Sequence, residues 1–195
     1  MRAFFSLLVC IFCVHNAYPQ SPDSDKAYEQ LLTSLGKEDW AAADKTCLQL
    51  LESAANTDAM QRRQKVLRYM HIFATAGLLN EKKLTQQQAL KKVAYLKGKE
   101  VIMPAHPFRR NCYVNCTQFA EEANTFFTGA NNTAGTQIFA FEYVTIKSGI
   151  KETKEELEGK LIELSGVLSD VVVQGNILPR FKLTVRDGAY KVTDQ

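Results

Sequence analysis

Cys112 and Cys116, with His106 six residues upstream, are the side chains best suited to chemistry in this 195-residue sequence. Three intervening residues fit half of a zinc site, but a closed site takes four ligands. No second cysteine pair follows, and only His106, His71 and scattered carboxylates remain, so no metal is expected. The spacing also excludes a Cys-x-x-Cys redox centre. A cysteine nucleophile would need a histidine base within reach. His71 falls on an apolar helical stripe between Leu67 and Ala74, and His106 sits between prolines; the pattern ties neither to a cysteine. The pair permits a local disulfide, the alternative being two unpaired, packed thiols. The sequence holds no Gly-x-Ser-x-Gly elbow, phosphate-binding glycine loop or His-Glu-x-x-His helix. Neither an enzyme nor a cofactor is expected.

A second constellation suits binding. In the segment 135–146, Phe139, Phe141 and Tyr143 alternate, which on a strand places all three on one face. Ile138, Ala140, Val144 and Ile146 take the other face, interrupted by Glu142. Aromatic faces on a strand stack on bases or sugars, and Arg109 and Arg110, nearby in the chain, would hold an anion. The simpler use of such a face is packing against the helical region. Charge is uneven as well. Residues 60–110 carry twelve Lys or Arg against Glu81 and Glu100, whereas 18–59 and 111–195 are both net acidic. Such asymmetry marks either an anionic partner or a basic segment that faces the acidic N-terminal helices. Glu152, Glu155, Glu156 and Glu158 read as a solvated helix face. Asn115-Cys-Thr and Asn131-Asn-Thr match the N-glycosylation sequon, which counts only in a eukaryotic host.

Helices come first among the elements that must position these residues. Ala27, Tyr28, Leu31, Leu32 and Leu35 recur at helical spacing until Gly36. Asp39 to about Ser53, Asp58 to Leu79, and Thr85 to Leu96 repeat the pattern, with Thr85 as a cap. Short polar links between them favour antiparallel pairs. Within the second helix, Trp40-x-x-Ala43-x-x-x-Cys47-x-x-Leu50 resembles the second helix of a tetratricopeptide repeat, which implies a helical-hairpin region.

At Gly98 the character changes. Lys99–Phe108 favours β structure, and the long strand 135–146 follows a turn at 130–135, with Thr125–Thr128 as its hairpin partner. A short charged helix over 151–158 precedes strands at 160–166, 169–174, 180–186 and 189–192, with turns at Gly175-Asn176 and Asp187-Gly188. The phrases Leu157-Glu-Gly-Lys-Leu-Ile-Glu-Leu-Ser-Gly-Val167 and Phe181-Lys-Leu-Thr-Val-Arg-Asp-Gly188 resemble exported bacterial OB-fold-like domains over about residues 98–193. That resemblance implies a small barrel or strongly curved sheet, a fold that hosts many unrelated activities. The fold class expected is α+β.

The chain's beginning sets its compartment. Arg2, a nearly continuous apolar run from Ala3 to Val14, and a small residue at Ala17 before Pro19 and Pro22 match a cleavable signal peptide. The division expected is therefore signal peptide 1–17, leader 18–22, helical region 23–97 and β-rich region 98–195. Cleavage removes Cys10 and Cys13 and leaves Cys47, Cys112 and Cys116, an odd number that argues against a disulfide framework but allows one bridge outside the cytosol. With 46% hydrophobic and 23% charged residues the remainder is an ordinary globular chain without a second long apolar run, hence no membrane span after cleavage. These features together lead to an exported, periplasmic or extracellular, non-catalytic binding or protein-interaction protein. Its partner would be an unidentified protein or an anionic ligand, held by the basic segment or a groove between the two parts. The alternative is nucleic-acid or anionic-glycan binding through an OB-like surface, with nucleic acid an awkward partner outside the cell. The sequence fixes no oligomeric state.

Overall fold

A computed structural model describes residues 22–53 and 58–193. The expected signal peptide and, Pro22 apart, the leader lie outside the described residues. The fold is α+β, with the helices N-terminal and a seven-stranded mixed sheet after them.

The helices are α1 (Pro22–Gly36), α2 (Trp40–Glu52), α3 (Asp58–Asn80) and α4 (Gln86–Val93), the last running into a 3₁₀ turn (Ala94–Leu96). α1 begins at Pro22, inside the expected leader, because proline's missing N–H is no loss in a first turn. The Asp39 carboxylate accepts the Ala42 N–H at 3.1 Å and starts α2. Thr85 and Gln88 exchange the two hydrogen bonds of a capping box at the start of α4. α1 packs on α2 and α2 on α3. A buried polar joint ties three helices: Asp44 of α2 meets His71 Nδ1 of α3 at 3.0 Å and Lys92 Nζ of α4 at 2.8 Å. Burial raises the Asp44 carboxyl, but the His71 and Lys92 contacts outweigh it and hold the group below its ordinary value. Among the described residues no helix is long and apolar enough to cross a membrane.

The strands are β1 (Glu100–Ile102), β2 (His106–Pro107), β3 (Thr117–Phe119), β4 (Thr125–Asn131), β5 (Ile138–Ile146), β6 (Leu161–Gln174) and β7 (Arg180–Thr193), with a one-turn helix α5 (Lys154–Leu157) between β5 and β6. They order as β1-β6-β7-β5-β4-β3, with β2 also on β6. Every pairing is antiparallel except β5 with β7. The β4–β5 hairpin falls where the sequence places it.

Two expectations change. The four short strands expected over 160–192 are two strands of 14 residues each, and the breaks read at Gly166 and Asp187-Gly188 are register shifts within them. Close approach explains the glycines. A Cβ on Gly166 would stand 2.8 Å from Arg186 O, and one on Gly188 would stand 2.8 Å from Thr145 O, so these glycines mark bulges and not turns. Nor does the sheet close into a barrel. Among the described residues no ladder joins β3 to β1 or β2, and an isolated bridge between Phe108 and Thr117 spans that side.

One apolar core runs through both halves. Trp40, Tyr69, Ile72, Leu79, Ala89 and Val93 from the helices share it with Phe126, Phe139, Val144, Leu164, Phe181 and Val185 from the strands. Trp40 lies edge-on to Phe73 at 5.5 Å and to Phe139 at 5.1 Å. The helical and β-rich parts therefore meet through packed side chains.

Candidate functional site

Strand alternation and register decide which side chains reach the sheet's outer face, the one turned away from the helices. Phe127 on β4 pairs with Tyr143 on β5, and Phe141 on β5 pairs with Lys182 on β7. Phe127 lies 5.5 Å from the Phe141 ring and 5.3 Å from the Tyr143 ring. Gly129 stands opposite Phe141, and a Cβ there would meet Tyr113 O at 2.8 Å; the loop 112–116 closes over the sheet at that point. Tyr113 adds its ring at 6.0 Å from Phe141 and stays 65% exposed. The Arg180 guanidinium carbon lies 4.8 Å from the Phe141 ring centroid, and Lys182 Nζ lies 4.8 Å from that of Tyr143. Both cations rest on negative ring faces. Neither makes an ion pair among the described residues.

The expected trio is split. Phe141 and Tyr143 share the outer face, but Phe139 does not join them. Ala130 pairs with Ala140 and Asn131 with Ile138, which leaves Phe139 as the extra residue of a bulge. It turns to the helices and is 1% exposed, against Trp40 and Phe73.

Arg109 and Arg110 are also elsewhere. Arg109 Nη1 lies 3.4 Å from Glu158, and Arg110 meets Glu155 at 3.3 Å and Glu158 at 3.8 Å. Their charge is met by the acidic residues around α5, not turned toward the aromatic face. The wider basic segment behaves similarly: Arg62 pairs with Glu163, Arg63 with Asp25, Lys65 with Glu100, Lys83 with Glu81, Lys92 with Asp44 and Lys97 with Asp170. Much of that segment thus answers carboxylates of the β-rich half, while Asp25 and Asp44 of the acidic N-terminal helices meet Arg63 and Lys92. The cations that replace Arg109 and Arg110 beside the rings, Arg180 and Lys182, carry a sequence signal. In Arg180-Phe-Lys-Leu-Thr-Val-Arg186 polar and apolar residues alternate, so Phe181, Leu183 and Val185 face the core while Arg180 and Lys182 face out.

Cys112 and Cys116 are joined by a disulfide across a Cα–Cα distance of 5.7 Å. His106 lies apart from them on β2, opposite Ile162. Cys47 is buried in the helical cluster, where burial first, then Asp44, push its thiol up. Such a thiol stays protonated and is a poor nucleophile. Among the described residues no three His, Cys, Asp or Glu side chains are grouped to hold a metal.

One buried acid escaped the sequence reading. Glu142, on the helix-facing side of β5, is fully buried, and Tyr69 OH of α3 donates to its Oε1 at 2.6 Å. Burial pushes its carboxyl up to about 7, against the opposing pull of the Tyr69 hydrogen bond. Thr128 is its cross-strand partner and Thr117 is the next in the row, both fully buried. Pattern alone shows only an interruption in an apolar face there; the phenol that receives it comes from 73 residues away.

Compared with protein-family models, curated proteins and solved structures, the chain matches none.

Proposed function

We propose that this chain is an exported, non-catalytic binding protein whose outer sheet face takes an acidic glycan. The observation that carries the reading is the state of the two cations on that face. Among the described residues Arg180 and Lys182 have no carboxylate partner and are held over Phe141 and Tyr143, whereas the neighbouring basic segment is largely paired within the protein. The rings hold the two cations in place and add apolar surface beside them for a sugar, and the cations offer sites for sulfate or carboxylate groups. A compartment outside the cell favours glycans over nucleic acid as the polyanion met. The helical-hairpin and OB-like resemblances belong to the same proposal: the short links at 37–39 and 81–85 support paired helices, and the bulges in β5, β6 and β7 support strong curvature.

Titration of the protein with a sulfated oligosaccharide, at several salt concentrations, tests the reading. Binding should weaken as salt rises, because each cation–anion contact releases counterions. Arg180→Ala with Lys182→Ala should flatten that salt dependence, and Phe141→Ala should weaken binding about tenfold or more, in line with the energy of one stacked ring. Binding indifferent to salt and to these variants, or no binding at all, sinks the proposal.

A further inference from the structure

We infer that Asn115 is an N-glycosylation site and that its innermost sugar packs on Tyr113, while the second sequon, at Asn131, stays unmodified. The inference does not rest on the ligand proposed for the outer face. Both asparagines satisfy the Asn-x-Thr pattern, in Asn115-Cys-Thr117 and Asn131-Asn-Thr133. The structure separates them. Asn115 is exposed in the loop closed by the Cys112–Cys116 disulfide, at a left-handed φ of 54° that asparagine tolerates. Its backbone N–H is held by Gly129 O at 2.8 Å, and its carboxamide has no hydrogen-bond partner among the described residues. Asn131 sits in β4 opposite Ile138, and its Oδ1 is buried. A glycan added to Asn131 of the unfolded chain would have to be accommodated at the end of β4, where that carboxamide oxygen is buried beside Ile138, so chains that fold and are secreted carry none there.

Tyr113 provides the second observation. It is two residues before Asn115 and stands 65% exposed, while the intervening Val114 sits against Gly129. An exposed tyrosine beside an exposed sequon asparagine offers its negative ring face to the C–H groups of the first sugar. In the transfer, Asn115 Nδ2 forms a bond to C1 of an N-acetylglucosamine and gives up a proton to a base. The bond from that C1 to the phosphate oxygen of a polyisoprenyl diphosphate donor breaks, and the diphosphate leaves. Thr117, whose hydroxyl completes the sequon, is fully buried in β3 against Thr128. The transfer must therefore precede pairing of β3 with β4, on the newly made chain.

The experiment is expression of the full chain in a eukaryotic secretory cell, with protein from both medium and lysate analysed by mass spectrometry before and after an amidase that removes N-glycans. The expected result is a glycan mass that the enzyme removes, leaving Asp at position 115. The mass disappears in Asn115→Gln and persists in Asn131→Gln. Enzymatic removal should lower the thermal midpoint of the natural sequence and leave that of Tyr113→Ala unchanged. An unmodified Asn115 in both fractions, or a glycan on Asn131, overturns the site. Equal effects of removal with and without the Tyr113 ring overturn the packing.

Discussion

A Cβ built on Gly77 would stand 2.3 Å from Cδ2 of the Trp40 indole, well inside any tolerable contact. Gly77 lies in α3, where alanine would ordinarily stabilise the helix by up to ~1 kcal/mol. Here the sign reverses. Trp40 is pinned between Phe73 and Phe139, so its ring has no direction in which to retreat. Overpacking of this kind costs about 1–3 kcal/mol, more than the propensity gain. Gly77→Ala should therefore lower the urea midpoint, and combining it with Trp40→Leu should remove most of the penalty that the alanine adds. A Gly77→Ala protein more stable than the natural sequence would show that the indole can move. Ala43, the small residue of the repeat-like spacing, is buried in the helical cluster. The tightest contact is nevertheless at Gly77, because Trp40 leans across α3 and its target lies 37 positions away.

Bulges decide what each long strand presents. The bulge at Phe139 moves one aromatic ring from the outer face to the core and leaves Phe141 and Tyr143 behind it. The two phenylalanines should then differ sharply on truncation. Phe139→Ala empties a site bounded by Trp40 and Phe73 and should cost about 3–5 kcal/mol, whereas Phe141→Ala, on the solvent side, should cost about 1 kcal/mol or less. Equal losses in equilibrium unfolding would put both rings in comparable surroundings and remove the bulge from the account. This is also where reading from sequence reaches its limit. The helices over 39–53, 58–79 and 85–96 were legible because apolar spacing and caps are local signals, and Thr85 caps as its position suggests. The hairpin at Thr125–Ile146 was legible for the same reason. Bulges are set by which backbone comes within 3 Å of which, so Gly166 and Gly188 look like turns in one dimension and are close contacts in three. Pairing of cations follows the same rule: nothing local tells that Arg109 and Arg110 meet carboxylates in and just after α5 while Arg180 and Lys182 meet rings.

Over the whole molecule two buried groups pull the pH dependence of stability in opposite directions. Burial raises the Glu142 carboxyl from 4.5 to about 7. Its contribution is complete below pH 4.5 and is lost as pH climbs to about 7, because the folded state binds a proton that the unfolded chain has released. His106 runs the other way. Its residue is half-buried, but ring Nε2 is sequestered without a partner among the described residues, and burial lowers the imidazole from 6.5 to about 4. Its contribution is complete above pH 6.5 and is lost as pH falls to about 4. At 1.36 kcal/mol per unit, each window amounts to about 3 kcal/mol. Between pH 4.5 and 6.5 the two slopes oppose one another nearly one for one, so their joint effect on the unfolding free energy is close to flat. Glu142→Gln removes the falling limb, and its stability relative to the natural sequence should rise as pH goes from 4.5 to 7. His106→Leu removes the rising limb, and its relative stability should fall as pH goes from 4 to 6.5. Tyr69→Phe leaves Glu142 buried without its donor and should move the Glu142 window further upward. Urea titrations at half-unit pH intervals read all three differences. A Glu142→Gln curve parallel to that of the natural sequence would mean that the carboxyl titrates as it does in the unfolded chain, and the proton-linked joint between α3 and the sheet would have to be given up.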